Sequence, residues 1–381
     1  MEMSQSVWNN PAACLSSVDP ENPILFFAPK VLQATARRFI DGFPGMVTYA
    51  VKANPMDAVI ENLSAAGVCG FDVASPVEMR LIKALVPGAV LHYNNPVRSL
   101  AEIAVAVSLG VASYSVDSMS ELAKLIAAVP PEGVEIAVRF KLSVTGAAYD
   151  FGEKFGANAQ AAVVLLRHVA DAGFMPALSF HPGTQCHAAQ AWGSYIRTAA
   201  QIADAAGVVI VRVNVGGGFP SHRTVGSAPD LAMIFATIDQ VATEAFGDAR
   251  PVLVCEPGRG LCADAFCVAT RVKAVRDGVH VFLNDGVYGT LTEMPQIGVI
   301  DRVEVIAASG LVRKGAPLPR VVFGPTCDSL DRLPGQVMLP DDLAEGDFVI
   351  FHGMGAYSTV TNTRFNGFGA LSVETVLHLT A

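Results

Sequence analysis

The sequence is poor in charged residues and lacks the patterns typical of secreted or membrane-spanning chains. Charged side chains make up 16% of the 381 residues and hydrophobic ones 51%, which argues against disorder and provides material for a large core. No apolar run approaches the roughly 20 residues of a membrane span. The first six residues, MEMSQS, lack the basic region and apolar segment of a secretory signal. We therefore expect a cytoplasmic protein.

Paired cysteines and an excess of positive charge are also missing. The seven cysteines are scattered without a CxxC pair, which argues against a disulfide framework and against a zinc site, and we expect no metal. The formal net charge of −9 argues against nucleic acid or an anionic membrane as a partner. Because the chain is too long for one average domain, we expect two.

Short apolar runs alternate with alanine- and leucine-rich helical segments from residue 46 to residue 256. Eight such β units predict an α/β fold, a (β/α)8 barrel of the TIM type, whose usual size of about 250 residues suits this stretch. An open, doubly wound sheet is the alternative, and it is disfavoured because no GxGxxG follows the first strand. The predicted strands are Met46–Val51, Gly70–Val73, Val90–Tyr93, Ser113–Val116, Glu135–Phe140, Ala177–Phe180, Val209–Val215 and Val252–Glu256.

The pattern changes near residue 264, where short apolar runs with Gly, Pro and Asn-Asp-Gly replace the alternation. No long amphipathic helix interrupts these runs, which indicates a β-rich second domain. The run Ile24–Phe27 precedes the barrel and could pair with that domain, whereas residues 1–22 look polar and turn-rich. We predict a barrel over residues 35–264 and a β-domain built from residues 1–34 plus 265–381.

One stretch of the barrel, YAVKANP at residues 49–55, carries a lone lysine. An apolar, β-branched run reaches Lys52 and is then stopped by Asn-Pro, so we expect the lysine at the end of a buried strand. Burial lowers the pKa of a lysine, and such lysines form Schiff bases with carbonyl compounds. In the alternative interpretation, Lys52 is simply the last residue of a strand and points into water. This stretch alone does not decide between the two.

Polar residues mark the ends of most predicted strands, where barrels of this type carry their catalytic groups. Each has an ordinary explanation, such as a helix cap, a core histidine or a surface ion pair, but their shared position favours one site. The glycine run can approach a ligand closely and can direct successive N–H groups at an anion such as phosphate. The marked ends are Lys52, Asp72, Arg139, His181, Gly216–Gly218 and Glu256.

Nine short motifs follow one another in a fixed order along the chain. They are YAVKAN (49–54), FDVAS (71–75), FHPGTQ (180–185), VGGGF (215–219), EPGR (256–259), NDGVYG (284–289), GPTCDSLD (324–331), MGAY (354–357) and FNGF (365–368). Together they resemble the ornithine decarboxylase branch of the fold type III, pyridoxal-phosphate-dependent amino-acid decarboxylases. The resemblance covers about residues 24–375.

The resemblance implies pyridoxal 5'-phosphate as cofactor and gives the barrel residues roles. Lys52 would hold the cofactor covalently, His181 would stack on its ring, and Glu256 would accept the pyridinium N–H, which keeps that nitrogen protonated. Asp72, Glu78 and Arg139 would order the surroundings of the ring and the lysine. The phosphate would be held by Thr184, Gly216, Gly217, Gly218, Gly258, Arg259 and Tyr357.

The resemblance also implies a substrate loop. Cys327 would give the proton that the decarboxylated carbon needs, although a small buried hydrophobe is the alternative for a cysteine. Asp328 would contact the distal amine of a diamino acid such as ornithine or lysine. Phe365 would form an apolar wall against the departing carboxylate, with Tyr288 as a further substrate contact. In the family this loop reaches into the partner subunit, which implies a head-to-tail homodimer with shared active sites.

The sequence departs from the family pattern at one place that bears on the substrate. Eukaryotic members have a Tyr-Asp pair after the NDGVYG motif, and its acid also holds the distal amine. Here residues 290–297 read TLTEMPQI, so Glu293 could substitute or Asp328 could act alone. The preference for chain length is therefore open.

The leading prediction is decarboxylation of L-ornithine to putrescine and CO2. Another decarboxylase is the first alternative, acting on lysine, arginine or diaminopimelate, but the distal carboxylate of diaminopimelate would suit an arginine better than Asp328. An alanine racemase shares the barrel type and is disfavoured by the Cys-Asp loop and the C-terminal motifs. A non-catalytic homologue that regulates polyamine enzymes would be expected to lack some cofactor residues, and all of them are present here.

Overall fold

The computed structural model of the chain describes residues 3–143, 153–226 and 228–380. The chain divides into two compact units. The barrel unit contains Ala36–Pro220 and Pro229–Leu261, and the sheet unit contains Met1–Thr35, Ser221–Ala228 and Cys262–Ala381. No sequence pattern separates Ser221–Ala228 from the predicted barrel, so its place in the sheet unit was not expected. Across the described ranges, no helix is long and apolar enough to cross a membrane.

Regular structure begins before the barrel, with β1 (Met3–Trp8), α1 (Pro11–Val18) and β2 (Ile24–Phe27). The prediction of a turn-rich segment was therefore wrong for much of residues 3–22. Helix α1 starts there because the side chain of Asn10 accepts a hydrogen bond from the N–H of Ala13 (2.9 Å). Pro11 occupies the first helical position, where a backbone N–H would have no partner within the helix. The missing N–H of proline therefore does not destabilise the helix.

Eight parallel strands close into a barrel in the order β10-β3-β4-β5-β6-β7-β8-β9. Pairing of the last strand with the first, Val254 opposite Met46, closes the ring. The prediction of a (β/α)8 barrel is thus confirmed, and the alternative of an open sheet is wrong. The strands are β3 (Met46–Ala50), β4 (Gly70–Val73), β5 (Val90–Tyr93), β6 (Ser113–Val116), β7 (Glu135–Arg139), β8 (Met175–Ser179), β9 (Arg212–Asn214) and β10 (Val252–Cys255).

Helices alternate with these strands, and three consecutive ones start in the same way. Ser75, Ser99 and Ser118 each cap a helix by accepting the N–H of a glutamate three residues later. Such caps start the helices soon after β4, β5 and β6, so the loops at the carboxyl ends of these strands stay short. The helices are α2 (Pro29–Gly42), α3 (Asp57–Ala65), α4 (Pro76–Leu85), α5 (Leu100–Ser108), α6 (Met119–Ala128), α7 (Ala159–Asp171), α8 (Ala189–Ala206), α9 (Leu231–Phe246) and α10 (Arg259–Cys262).

The long strand β11 (Phe266–Arg276) organises the sheet unit. It pairs antiparallel with β2, β12 and β16, and β17 runs parallel to both β1 and β2. The prediction that the Ile24–Phe27 strand joins the β-rich part is therefore confirmed. The other elements are β12 (His280–Leu283), α11 (Met294–Ile297), β13 (Val303–Ile306), β14 (Pro317–Phe323), β15 (Val337–Pro340), β16 (Phe348–His352) and β17 (Ser372–Val376).

Candidate active site

Lys52 lies in a short 3-10 turn, Val51–Ala53, immediately after strand β3. The turn is fixed by its neighbours: the N–H of Asn54 donates to the first carbonyl of the turn (3.1 Å), and the hydroxyl of Tyr49 donates to the carbonyl oxygen of Asn54 (3.0 Å). The lysine side chain is exposed, whereas the residues on either side of it are buried. The expectation of a buried lysine was therefore wrong: strand β3 ends at Ala50, one residue before its predicted end, and Lys52 lies in the turn that follows.

The charge of Lys52 acts on four ionisable groups that other elements of the barrel unit supply. Burial raises the pKa values of Asp72, Glu78 and Glu256 and lowers that of His181. The positive charge of Lys52 opposes the shift of the three carboxyl groups and adds to that of the imidazole. Since such effects weaken with distance, we infer that the five side chains surround one cavity at the carboxyl ends of the strands.

Glu256 directly follows β10, and both burial and neighbouring charges act on its carboxyl group. Burial, and then the negative charge of Asp72, raises the pKa of Glu256 to about 8. Lys52 and Arg139 oppose this shift, as does a hydrogen bond from Asn214. A carboxyl group with such a pKa can give a proton to a basic ligand atom near neutral pH and then remain as its carboxylate partner.

Two asparagines that sequence reasoning missed hold the Glu256 carboxyl group. The side-chain amide of Asn94 donates to Oε1 of Glu256 (2.5 Å), and that of Asn214 donates to the same oxygen. Asn94 follows β5 and Asn214 ends β9. Both therefore stand at carboxyl ends of strands, and the rule that singled out Asp72 would have found them.

His181 is held as a neutral imidazole. The N–H of Gly183 donates to Nδ1 of His181 (3.1 Å), so the ring proton belongs on Nε2. Burial lowers the pKa of His181 well below its usual range, and the charges of Arg139 and Lys52 lower it further. Burial also lowers the pKa of Arg139, against the influence of Glu256. An uncharged ring of this kind suits contact with the face of an aromatic ligand.

The glycine run after β9 offers two adjacent N–H groups. Gly216 has φ of +69°, and a Cβ there would stand 2.2 Å from the carbonyl oxygen of Phe180, so only glycine fits. Its own N–H donates to Oδ1 of Asn214 (2.9 Å). The N–H groups of Gly217 and Gly218 have no hydrogen-bond acceptor in the part of the chain that the structure describes. Consecutive N–H groups of this kind fit a phosphate.

The other predicted phosphate contacts lie in both units. Gly258 lets the loop after β10 pack on the lysine turn, since a Cβ there would stand 2.9 Å from the Cβ of Ala53. Arg259, buried, begins α10, and Thr184 is half-buried after His181. Tyr357 belongs to the sheet unit and has φ of +64°, a conformation that is costly for a residue with a Cβ.

In the sheet unit, three of the predicted substrate residues lie together. The hydroxyl of Tyr288 donates to Oδ2 of Asp328 (2.5 Å), and the rings of Tyr288 and Phe365 have centroids 4.8 Å apart. The N–H of Leu330 donates to Oδ1 of Asp328 (2.9 Å). This bond and the one from Tyr288 lower the pKa of Asp328. The cluster thus presents a fixed carboxylate beside two aromatic rings.

Cys327 lies next to this cluster and is exposed, so the alternative of a buried hydrophobe was wrong. Its N–H (3.1 Å) and its Sγ (3.3 Å) both point at Oδ1 of Asn366. The buried carboxylate of Asp331 holds the loop by accepting the N–H and the hydroxyl of Thr326 (3.0 and 2.7 Å). Glu293 stands at the N-cap position of α11, where its side chain makes no capping hydrogen bond.

The groups of the barrel cavity match the parts of pyridoxal phosphate. An amine can bind an aldehyde, an acid with a pKa of about 8 can protonate a pyridine nitrogen, and a neutral imidazole can lie on the ring. Two adjacent glycine N–H groups remain for the phosphate. The donor set therefore fits this cofactor.

Comparison with known proteins agrees with this fit. Residues 30–263 match the family described as pyridoxal-dependent decarboxylase, pyridoxal binding domain. The chain is 32% identical over 330 residues to a lysine/ornithine decarboxylase of Selenomonas ruminantium, covering 84% of this chain and 81% of that one. It is 29% identical over 351 residues to the ornithine decarboxylase of Mus musculus, covering 84% and 73%. The structure of an arginine decarboxylase from Paramecium bursaria Chlorella virus is similar with a TM-score of 0.85 at 25% identity, covering 95% and 98%.

Proposed function

Because the chain belongs to the pyridoxal-dependent decarboxylases, we propose that it removes CO2 from L-ornithine and releases putrescine. The relatives support a pyridoxal-phosphate-dependent decarboxylase that acts on a basic amino acid. The observation that supports the proposal is the set of Lys52, Asp72, His181 and Glu256, which lie near enough for the charge of Lys52 to act on the other three. It provides an amine and a proton-exchanging acid in one place.

We assign the cofactor to the barrel unit. Lys52 would hold it covalently, Glu256 would bind its ring nitrogen, and His181 would lie on the ring. The N–H groups of Gly217 and Gly218 would bind the phosphate, and the contributions of Thr184, Gly258, Arg259 and Tyr357 stay predictions. When bound, pyridoxal phosphate supplies an electron sink for the pair that remains on Cα as CO2 departs.

The sheet unit would recognise the rest of the substrate. Asp328 keeps its negative charge and is already held by Tyr288 and Leu330, so pairing it with a distal ammonium group costs little additional ordering. The exposed ring of Phe365 would give the departing carboxylate an apolar neighbour that favours loss of its charge. The Sγ of Cys327 would hold the proton that is transferred to Cα after CO2 has left.

We further propose that the loop containing Cys327 and Asp328 completes the cavity of a partner chain in a homodimer. Two exposed apolar side chains support this proposal. Leu330 of this loop is 74% exposed in the single chain, and Phe365, from a separate segment, is 42% exposed. Apolar side chains at such exposure next to a fixed carboxylate suit an interface that also binds a charged ligand. Diaminopimelate fits poorly, because its distal carboxylate would be repelled by Asp328.

The test is CO2 release by the purified protein supplied with pyridoxal phosphate. We expect the highest kcat/KM for L-ornithine among L-ornithine, D-ornithine, L-lysine, L-arginine and meso-diaminopimelate. Lys52→Ala should abolish release, whereas Lys30→Ala, a change at an exposed lysine of α2, should leave it unchanged. Faster release from another amino acid would overturn ornithine as the substrate. No release together with no uptake of the cofactor would instead indicate a non-catalytic binding protein.

A further inference from the structure

The two oxygens of the Glu256 carboxyl group have different surroundings. Oε1 accepts hydrogen bonds from the side-chain amides of both Asn94 and Asn214. Oε2 accepts none from residues 3–143, 153–226 or 228–380, and it is not sealed from solvent. A proton on Oε1 would face two N–H donors, so a protonated Glu256 carries its hydrogen on Oε2.

The two asparagines differ in what else they hold. Asn94 also lowers the pKa of Asp72, so it lies near both of the carboxyl groups that repel one another. Asn214 uses its Oδ1 to accept the N–H of Gly216 (2.9 Å), which ties the acid to the start of the glycine run. The amide of Asn214 is therefore oriented by a second partner, whereas Oδ1 of Asn94 is buried without a hydrogen-bond partner among the described residues.

We infer that Asn94 and Asn214 are positioning residues that hold Oε1 of Glu256 and leave Oε2 to exchange a proton with the ring nitrogen of the cofactor. The inference rests on the proposed role of Glu256. With the cofactor bound, the proton would pass from Oε2 to the ring nitrogen, so that one O–H bond would break as one N–H bond formed. The carboxylate would then keep both amide donors on Oε1 and accept the N–H of the cofactor on Oε2.

The amide pair acts within a set of charges that also reach Glu256. Asp72 disfavours the carboxylate, whereas Lys52 and Arg139 favour it, and the buried thiol of Cys255 lies next in sequence. These charges act on several groups of the cavity, whereas the side-chain amides of Asn94 and Asn214 both donate to Oε1 of Glu256. Changing an amide therefore tests the orientation and proton affinity of one carboxyl group with the other charges in place.

Three variants separate the roles of the amides. Asn214→Asp keeps an acceptor for the N–H of Gly216 and replaces the donor to Glu256 with a carboxylate. Asn94→Ala removes the other donor, and Asn94→Asp, which has nearly the same shape, replaces it if the alanine variant does not fold. Asn95→Ala is the matched control, because Asn95 stands in the same loop and its side chain contacts the N–H of Val97 instead.

The first measurement uses the cofactor-free protein, with carbon-13 NMR of glutamate labelled at Cδ and Glu256→Gln to assign its signal. The pKa of Glu256, about 8 in the parent, should rise by about one pH unit or more in both variants. Asn94→Ala loses a hydrogen bond to a charged group, and Asn214→Asp loses one and gains a negative charge beside Glu256. Asn95→Ala should not change it. Parental values in both amide variants would overturn the inference.

The second measurement uses the holoenzyme loaded with nitrogen-15 pyridoxal phosphate, whose ring-nitrogen chemical shift reports protonation. We expect a protonated nitrogen in the parent and in Asn95→Ala, and a smaller protonated fraction in the two amide variants. If Glu256→Ala leaves the shift at its parental value, the proposed role of Glu256 fails. If Glu256→Ala moves the shift and the amide variants do not, only the present inference fails.

Discussion

Glu256 should make the cofactor-free protein less stable as the pH rises. Its pKa is 4.5 as a free side chain and about 8 when folded, so the folded state binds the proton more tightly. This contribution to stability is complete below about pH 4.5 and is lost as the pH rises through about 8, a change on the order of a few kcal/mol.

The measurement is the unfolding temperature of the cofactor-free protein from about pH 5 to about pH 9. Glu256→Gln should flatten the decline over this interval. Asp72 and Glu78, whose pKa values burial also raises, should leave part of it in place. An equally steep decline in the variant would show that Glu256 ionises normally in the folded chain.

Asp328→Asn should raise the KM for L-ornithine by about tenfold or more, because a charge-assisted contact to the distal amine is lost. Tyr288→Phe removes only the hydrogen bond that orients Asp328 (2.5 Å) and should have a smaller effect. Steady-state kinetics measure both. Asp277→Asn, the same change in an exposed turn, serves as control. An unchanged KM in Asp328→Asn would mean that another residue binds the amine.

At the scale of residues, the sequence identified the charged side chains of the cavity better than the amides. Lys52, Asp72 and Glu256 stood out because charge at the end of an apolar strand needs an explanation. Asn94 and Asn214 did not, since asparagine two residues before proline or glycine, as both of them are, is also a usual residue of a turn. The exposure of Lys52 depends on where the strand stops, which the apolar pattern leaves uncertain by a residue or two.

At the scale of elements, the barrel strands carry a second charged group that stabilises the fold. Oε2 of Glu135, on β7, lies 3.2 Å from Nε of Arg212, on β9, and Ser113 on β6 donates to the other oxygen (2.7 Å). Burial, and then Arg212, lowers the pKa of His92 on β5 to about 3. Four of the eight strands are thus joined through one buried polar cluster.

Arg212→Met should destabilise the protein by about 3–5 kcal/mol, because it leaves the buried carboxyl group of Glu135 without its charge partner. Denaturant unfolding measures the loss. The double variant Arg212→Met, Glu135→Gln should recover part of it, since no unpaired charge remains. Additive losses in the double variant would show that the pair is not coupled.

The elements that could be predicted from the sequence are those with a local pattern of apolar or capping residues. Short apolar runs between capped helices identified all eight barrel strands, although several bounds differ by one to three residues. Strand β1 was missed because its sequence, MSQSVW, is mostly polar and its pairing comes from β17, far away along the chain. Helix α1 was missed although Asn10-Pro11 is a local start signal.

At the scale of the whole molecule, the proposed dimer can be tested by mixing two inactive chains. Lys52→Ala lacks the cofactor lysine, so its homodimer should be inactive. Asp328→Ala lacks the substrate carboxylate, so its homodimer should keep at most about a tenth of the parental activity when L-ornithine is well below its KM. If sites are shared, random exchange makes half of the dimers mixed, each with one intact site and one doubly damaged site. About a quarter of the parental activity should return.

The measurement is CO2 release after the two variants have been unfolded and refolded together, with sedimentation to establish the dimer. The variants refolded separately and then combined at the assay are the control. A mixture that stays as inactive as its components would mean that each chain supplies its own aspartate.

The pairing of β2 with β17 and β11 also governs when this protein can finish folding. A growing chain exposes β2 long before its parallel neighbour, Ser372–Val376, has been synthesised. The barrel strands, from residue 46 to residue 255, can meet while that neighbour is still missing. An unpartnered strand is a site of aggregation, so nascent chains of this protein should depend on chaperones until β17 has been made.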